Sequence, residues 1–446
     1  LRGGVNMGKT LSVANIQTSL TREQKEAVGL LSIGTFLEYF DLMLYVHMAV
    51  LLNELFFPKT DPFTASILTA FAFCSTYVLR PVGALIFGWI GDNIGRKFTV
   101  VITTAMMAVS CIIMANLPTY SEIGIAASYI VTICRLIQGM SSMGEVIGAE
   151  LYVTEITKPP VQYPAVATIT IFSSIGGFAA LAIASLSTSN GFNWRVAFLV
   201  GATIAIIGAI ARRNLRETPE FVDAKLRVKI ILEKNGSDSK KILDSNPILK
   251  EKVKKGASLS LFLIQCAWPV CFYFIYFHCG NILKNSFDYT SEQIIHHNFI
   301  ISIFQVLSFV IWTYLSYYVY PLLLIKIKLI IFSIICIFFP YILSHLSSSF
   351  DLLIFQIFMI TFSLSYSSAM PIFYKYFPVF KRYTYASFLY AMSRTVIYVS
   401  TTFGIVYLTD LFGNYGILLI MLPTMVGFAY GVLYFEDLEK ESGNHL

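Results

Sequence analysis

Apolar runs long enough to span a bilayer, each about 20 residues, repeat along most of the 446-residue chain. Each run predicts a membrane-spanning helix, and continuous runs without strict alternation do not fit the strands of a membrane β-barrel. Twelve runs fit this pattern: Ala27–Phe56, Thr64–Ile90, Phe98–Leu117, Ile123–Tyr152, Tyr163–Ser187, Trp194–Ile210, Ala257–Ile282, Glu292–Tyr318, Ile325–Ser344, Leu352–Tyr376, Tyr383–Thr409 and Tyr415–Phe435. The sequence therefore predicts an all-α polytopic membrane protein with 12 transmembrane helices.

The longest polar stretch lies between the sixth and seventh runs and divides them into two sets of six. This division predicts an N-terminal segment (1–26), a six-helix bundle (27–210), a middle loop (211–256), a second six-helix bundle (257–435) and a tail (436–446). Two parallel halves of this kind indicate a central cavity, where transporters bind their substrates. The residues before Met7 have the character of an extension and are left out of the fold prediction. The first apolar run has full spanning length, which argues against a cleavable signal peptide.

Composition supports a membrane protein and argues against other classes. Hydrophobic residues make up 56% of the chain and charged residues only 13%, against about 25% charged in soluble proteins. The net charge of +6 comes from Lys and Arg that lie mainly in loops, so we expect no nucleic-acid partner. The seven cysteines lie in or beside apolar runs without a CxxC pair, which predicts free packing residues.

The positive charges of the loops predict the orientation. Lys and Arg outnumber Asp and Glu in the middle loop, and most other loop cations lie on the same predicted side: Arg96, Lys97, Lys158, Lys381 and Arg382. The positive-inside rule then places both termini and the middle loop in the cytoplasm of a multi-pass inner-membrane protein. We expect the middle loop to be mainly a solvated linker, with room for short amphipathic helices on the membrane.

Two carboxylates in the first run are the first candidates for chemistry. Glu38 and Asp41 are three residues apart, so they share one face of a helix near the middle of the bilayer. Desolvation and mutual repulsion would oppose ionisation of both, which suits a proton-coupling or substrate-contacting site. The alternative is that both acids form fixed ion pairs with Arg80 or Arg135.

The fourth run carries a polar stripe. Arg135, Gln138 and Glu145 lie on one side of the predicted helix, because a helix turns about 100° per residue. Arg135 has no adjacent acid in its own helix, and its guanidinium is suited to bind a substrate carboxylate in a bidentate manner. Glu150 points to another face, and Glu155 lies near the cytoplasmic end.

Other charged residues have less specific predictions. Arg80, just before Pro81, is expected either to pair with acids of the first or fourth run or to extend toward the cytoplasmic interface. Arg394 is the chief charge inside the second half. A metal site is not expected, because His296 and His297 are adjacent and diverge on a helix. The sequence contains neither a GxxxxGK loop nor a Ser/His/Asp or Cys/His constellation, which argues against an ATP-driven pump and against an enzyme.

Several stretches together resemble the major facilitator superfamily, in particular its metabolite:proton symporter branch. They are FLEYFDLMLY, LRPVGALIFG, GWIGDNIGRK, RLIQGMSSMGE, FNWRVAF and LRETPEF, in this order. The resemblance implies the major facilitator fold and a cytoplasmic gate built from Asp92, Gly95, Arg96 and Glu155. Asp92 would cap a neighbouring helix and Arg96 would pair with Glu155. It also implies roles for the acids of the first run in proton coupling and for the charges of the fourth run near the substrate.

The second half departs from the family pattern. The loop Tyr317–Leu323 lacks the acidic residue and the Gly-Arg pair, and Lys375 stands where relatives often carry an acid. We therefore expect that the second cytoplasmic latch is lost. The chain also ends soon after Glu436, so the long C-terminal coiled coil of osmosensing betaine permeases is not expected.

The functional hypothesis is proton-coupled uptake of a small carboxylate-bearing metabolite, either a proline- or betaine-like zwitterion or a dicarboxylate such as 2-oxoglutarate. The expected partners are the substrate, protons and lipid, with no cofactor beyond the proton gradient and no obligate protein partner, hence a monomer. An uncoupled facilitator or exchanger is the alternative, and a non-transporting membrane receptor is a third hypothesis. The costly buried charges argue against the third.

Overall fold

The computed structural model of the chain is an assembly of helices. The residues that it describes are 16–58, 77, 79–188, 193–213, 215–234 and 251–443. Among them, β pairing is limited to one isolated bridge between Gln17 and Pro160.

The N-terminal half contains seven described helices, of which one, α4, is a single turn. Their bounds are α1 Arg22–Phe56, α2 Arg80–Asn93, α3 Arg96–Asn116, α4 Tyr120–Ile123, α5 Ile125–Ile156, α6 Gln162–Thr188 and α7 Trp194–Arg212. Most of these helices lie where the apolar runs predict them. Most of the first part of the second run falls outside the described residues, so α2 begins at Arg80.

The C-terminal half follows a helix of the middle loop, α8 Pro219–Lys234. Its helices are α9 Lys255–Tyr273, α10 Cys279–Phe287, α11 Ser291–Tyr318, α12 Pro321–Ser344, α13 Ser349–Thr361, α14 Met370–Tyr374, α15 Val379–Phe412 and α16 Leu418–Glu441. A π-helical turn, Phe274–His278, joins α9 to α10, so the seventh run is one helix with a local irregularity. Such π turns occur frequently at functional sites.

The tenth run, Leu352–Tyr376, was predicted as a single helix, and this was wrong. Helix α13 ends at Thr361, and α14 begins only at Met370, with Pro371 at its first turn. Backbone groups freed by a break at membrane depth are tolerated only where the protein supplies other partners. The segment between α13 and α14, residues 362–369, is called the break below.

Side chains from two neighbouring helices provide those partners. Trp312 Nε1 of α11 donates to the carbonyl of Thr361 at 2.8 Å, and Lys328 Nζ of α12 donates to the carbonyl of Ser365 at 2.7 Å. Lys328 is itself buried and lies 5.4 Å from the centre of the Trp312 ring. The break is therefore a fixed part of the fold.

The two halves pack against each other chiefly through α2 with α15 and α6 with α11. The first contact is very close, because a Cβ on Gly88 would lie 2.6 Å from the Cα of Thr384. Glycine at this position therefore permits two helices of opposite halves to meet backbone to backbone.

The outer surface of the bundle is suited to lipid. Eight helical segments of the described residues are long and apolar enough to cross a membrane, and two further apolar helices are shorter. Large apolar side chains such as Leu411 and Val426 are about 70% exposed on this surface. The chain is a multi-pass membrane protein.

Helix α8 is attached to the bundle at its first turns. Phe221 is buried, and its ring lies 5.0 Å from the guanidinium of Arg96. The amphipathic middle-loop helix that we expected on the membrane therefore packs, at its N-terminal part, against one end of the bundle. We call this end, where Arg96, Glu155 and Arg382 meet, the Arg96 end.

Candidate functional site

A cavity lies between the two halves, and the empty space in it, including space that is open to solvent, is about 1110 Å³. Helices α1, α2, α5 and α6 line it from one half, and α9, α11, α15, the π turn and the break line it from the other. Much of its wall is aromatic, including six tyrosines: Tyr39, Tyr77, Tyr276, Tyr366, Tyr390 and Tyr398. Among the described residues, the charged ones in its lining are Arg80, Arg394 and Glu150.

Arg394 brings a buried positive charge to the cavity from α15. Its guanidinium donates to the carbonyl of Gln265 at 2.8 Å and to the hydroxyl of Tyr366 at 3.2 Å, and it lies 4.5 Å from the ring centre of Tyr390. Within the described residues, no carboxylate lies within 4.0 Å of Arg394. Neutral groups thus hold the guanidinium in place, and none of the ion pairs among the described residues includes it.

Arg80, at the start of α2, borders two compartments. On one side it lines the large cavity, and on the other it lines a compartment of about 170 Å³ that also contains Glu38 and Asp41. Its Nη2 lies 3.7 Å from Glu38 Oε1, and its guanidinium lies 4.6 Å from the ring centre of Tyr77. The ion pair expected for Arg80 is present, but Arg80 also faces the cavity.

Arg135 lies in the smaller compartment and is paired with an acid. Its Nη1 is 3.2 Å from Asp41 Oδ2 and donates to Gln138 Oε1 at 2.9 Å. We expected Arg135 and Gln138 to face the substrate path, because Arg135 has no adjacent acid in its own helix. Helix α1 supplies that acid, so the two residues line the small compartment and not the large cavity.

The acids predicted on α1 are therefore both next to arginines. Glu38 faces Arg80 and Asp41 faces Arg135, which is the geometry of the fixed-pair alternative. The side chain of Glu145, the third predicted residue of the α5 stripe, lies outside the described residues.

Glu150 of α5 lines the cavity and contacts the other half. The hydroxyl of Tyr374, on α14, donates to Glu150 Oε2 at 2.8 Å. Glu150 lies about 9 Å before the end of α5 at the Arg96 end, from six residues at 1.5 Å per residue. The sequence placed Glu150 on a separate face of α5, and this face is the one that reaches the cavity.

The four residues of the predicted gate lie together at the Arg96 end. Arg96 is fully buried, with Nη1 3.0 Å from Asp92 Oδ1 and Nη2 3.2 Å from Glu155 Oε1. Asp92 in turn accepts hydrogen bonds from the backbone amides of Tyr383 and Thr384 at 3.1 and 2.8 Å. These amides lie in the second turn of α15, so Asp92 binds a helix of the opposite half close to its N-terminus, although not at the capping position.

Arg382 is a member of this cluster that sequence reasoning missed. Its Nη1 lies 3.2 Å from Glu155 Oε1 and 2.7 Å from Glu220 Oε2. We had counted Arg382 only as a positive loop charge, and nothing in the local pattern indicated which acids it meets. Glu155 therefore binds one arginine from each half of the protein.

Gly95 allows a carboxylate to approach the start of α3. The amide of Arg96 donates to Glu217 Oε1 at 2.9 Å, so the middle loop caps this helix. A Cβ on Gly95 would overlap the Glu217 carboxylate, and the φ of 156° is one that residues with side chains rarely adopt. The LRETPEF stretch contains this acid, but its partner was not predictable from the chain alone.

The second half carries a cluster of lysine–glutamate ion pairs at the Arg96 end. Lys375 forms an ion pair with Glu439 of α16, and Tyr320 OH donates to the same carboxylate at 2.8 Å. Nearby, Lys326 Nζ is 2.9 Å from Glu436 Oε1, and this contact holds the pKa of Glu436 below its usual value. We expected the second latch to be lost, whereas a Lys–Glu cluster occupies this position.

A match to the Major Facilitator Superfamily extends over residues 31–400. The chain is 33% identical over 205 residues to the proline/betaine transporter of Escherichia coli K12, covering 44% of this chain and 41% of that protein. It is 36% identical over 236 residues to the inner membrane metabolite transport protein YhjE of the same organism, covering 50% and 53%.

A third relative is the citrate-proton symporter of Klebsiella pneumoniae, 32% identical over 195 residues, covering 42% of this chain and 44% of that protein. The chain thus spans about half, or less, of the length of these curated relatives.

Solved structures share the fold over nearly the whole chain. The proton:xylose symporter XylE bound to 6-bromo-6-deoxy-D-glucose has a TM-score of 0.74 at 13% identity, covering 93% of this chain and 95% of that one. The human organic anion transporter MFSD10 has a TM-score of 0.65 at 15% identity, covering 92% and 99%. The predicted fold class is confirmed by these matches, and the chain belongs to the Major Facilitator Superfamily.

Proposed function

We propose that this protein couples the uptake of a small carboxylate-bearing metabolite to the inward movement of protons. The observation that carries this proposal is Arg394, a buried cation in the cavity wall with no carboxylate within 4.0 Å among the described residues. Burial of an ion that has hydrogen bonds to neutral groups but no carboxylate beside it among the described residues costs several kcal/mol. A substrate carboxylate would offset that cost through charge-assisted hydrogen bonds to the guanidinium.

The remainder of the cavity supports a substrate of this class. Arg80 offers a second guanidinium on the opposite half, and its contact with Glu38, at 3.7 Å, is longer than a hydrogen bond. Proline, betaine and citrate, which the names of the relatives mention, all carry a carboxylate. A zwitterion would use the tyrosine faces or Glu150 for its cationic group. A di- or tricarboxylate would use Arg80 together with Arg394.

Proton coupling is proposed from the ion pairs that adjoin the cavity. Asp41 is buried against Arg135, and protonation of Asp41 would remove the charge that holds this pair together. We propose that the Arg96 end is cytoplasmic and that its contacts close this side while the cavity is reached from the other side. Alternating access would then require the Arg96, Glu155 and Arg382 cluster to separate.

The experiment is uptake of radiolabelled proline, glycine betaine, citrate and 2-oxoglutarate by proteoliposomes, with and without an inward proton gradient. We expect accumulation of at least one compound only with the gradient. Arg394→Gln should lower its uptake at least tenfold, and Asp41→Asn should abolish accumulation while exchange continues. Arg216→Gln, the same substitution at an exposed arginine paired with Glu23, should have no effect.

Two results would contradict the proposal. Equal uptake with and without the gradient would refute coupling and leave an uncoupled facilitator or exchanger, the alternative that the sequence allowed. Unchanged uptake by Arg394→Gln would refute the assignment of the carboxylate to this residue.

A further inference from the structure

Glu150 differs from the other interior acids in its surroundings. Glu38 and Asp41 each lie within 4.0 Å of an arginine, and both lie in the small compartment. Among the described residues, Glu150 is the acid that lines the large cavity. The ion pairs of the described residues do not include Glu150. Its carboxylate accepts from the neutral hydroxyl of Tyr374 at 2.8 Å.

Few ionisable groups face Glu150. They are Tyr374 on α14, Tyr366 in the break and Arg394 on α15. In the described residues, the other elements that pack against α5, namely α1, α2, α3, α4, α6 and α8, bring no further charged group to Glu150. Among the described residues, Arg394 is therefore the cation whose charge acts on Glu150, while Arg80 lines the same cavity from α2.

We propose that Glu150 is a second proton site, whose protonation is linked to occupation of Arg394 by a carboxylate. This inference rests on the proposed function and adds an acid to those predicted on α1. In the empty cavity, the positive field of Arg394 favours the carboxylate form of Glu150. A bound carboxylate neutralises that field, so Glu150 takes one proton from the cavity water and becomes a neutral carboxylic acid.

The linkage is reciprocal. If carboxylate binding at Arg394 favours a proton on Glu150, then a proton on Glu150 must strengthen carboxylate binding by the same factor. A neutral Glu150 still accepts a hydrogen bond from Tyr374 or donates one to it, so the contact between the halves survives protonation. The substrate and the proton would thus load together while the Arg96 end is closed.

The test does not require the substrate to be known. Infrared difference spectroscopy of the purified protein in detergent follows the carbonyl band of a protonated carboxyl group as the pH is changed. We expect one titrating band that Glu150→Gln removes and Asp41→Asn leaves in place. Arg394→Gln removes the positive charge at every pH. The midpoint of this titration should therefore move at least one pH unit higher.

Controls separate the linkage from damage to the fold. Arg216→Gln and Glu122→Gln, at exposed sites, should leave the Glu150 band unchanged. Glu150→Asp restores an acid and should restore a titrating band even if the contact with Tyr374 is lost. All variants should show a cooperative thermal unfolding transition, which excludes a misfolded sample.

Addition of citrate at constant pH provides the second measurement. If citrate raises the unfolding temperature of the wild-type protein, it should also increase the Glu150 band. A band that Glu150→Gln does not remove, or a titration that Arg394→Gln does not move, would refute the inference, whatever the uptake assay shows. A normal Glu150 response together with gradient-independent uptake would refute the coupling proposal alone.

Discussion

Replacement of Asp92 by Asn tests whether the Arg96 end holds the two halves together. Asp92 accepts hydrogen bonds from the amides of Tyr383 and Thr384 at 3.1 and 2.8 Å, and from the Thr384 hydroxyl at 2.7 Å. It also forms the ion pair with Arg96 at 3.0 Å. Asparagine keeps one oxygen acceptor, but its amide group would face a donor, and the negative charge is lost at the N-terminal turns of α15.

The size of the effect follows from these contacts. Hydrogen bonds to a charged group contribute about 1.5–3 kcal/mol each, and Asn loses at least one and weakens the others. We therefore expect the closed Arg96 end to be destabilised by about 2–3 kcal/mol. At 1.4 kcal/mol for each factor of ten, this corresponds to a change of about 30- to 150-fold in the local opening equilibrium.

Hydrogen–deuterium exchange of the purified protein, read by mass spectrometry, measures this equilibrium at the affected amides. Peptides that contain Tyr383 and Thr384 should exchange about 30- to 150-fold faster in Asp92→Asn than in the wild type. The matched control is Asn93→Ala, because the exposed amide of Asn93 donates only to the carbonyl of Trp89, at 2.8 Å within α2, among the hydrogen bonds found there. Exchange within twofold of the wild type in Asp92→Asn would refute the reasoning.

Two further substitutions test the neighbouring contacts. Gly95→Ala should lower the free energy of unfolding by about 1–3 kcal/mol, because the new Cβ overlaps the Glu217 carboxylate at a strained φ. In thermal unfolding, the additional substitution Glu217→Ala should recover part of this loss. If the losses of the two substitutions simply add, the overlap is contradicted. Lys375→Glu should lower the unfolding temperature, since it places a second acid beside the buried Glu439, and the exchanged pair Lys375→Glu with Glu439→Lys should restore most of it. No recovery by the exchanged pair would show that the ion pair does not stabilise this end.

The fold was predictable because each apolar run is a local feature of the sequence and such runs recur along the chain. Each apolar run must be buried in lipid or protein as a helix, so run lengths gave the order of the helices with small boundary errors. The break in the tenth run was not predictable in this way. Its carbonyls are satisfied by Trp312 and Lys328, which lie on other helices, so the local composition of Leu352–Tyr376 contained no signal of it.

The site was predictable only in part, for the same reason. A helical wheel shows which residues share a face, but it does not show which helix that face meets. Arg135 had no adjacent acid on α5, and only the packing of α1 against α5 shows that Asp41 lies 3.2 Å from it. Arg394 and Glu150 were noted as charges without a definite role, and the opposing halves place both in the cavity wall.

The contacts at the Arg96 end were predicted more completely, because the family resemblance supplied information about tertiary contacts. Asp92 contacts α15 and Arg96 contacts Glu155, as the resemblance implied. Arg382 was not part of that pattern. The contact of Arg382 with Glu155 depends on how the second half packs against the first, and a motif in the first half does not specify this packing.

The break between α13 and α14 has a consequence for engineering the selectivity of the protein. The carbonyls of Thr361 and Ser365 are already bound by Trp312 and Lys328, so the ligand does not have to satisfy them. The cavity wall at this point presents side chains, among them Tyr366. Substitution of Tyr366 should therefore alter the choice of ligand without reshaping the backbone, which makes this segment a suitable target for directed evolution.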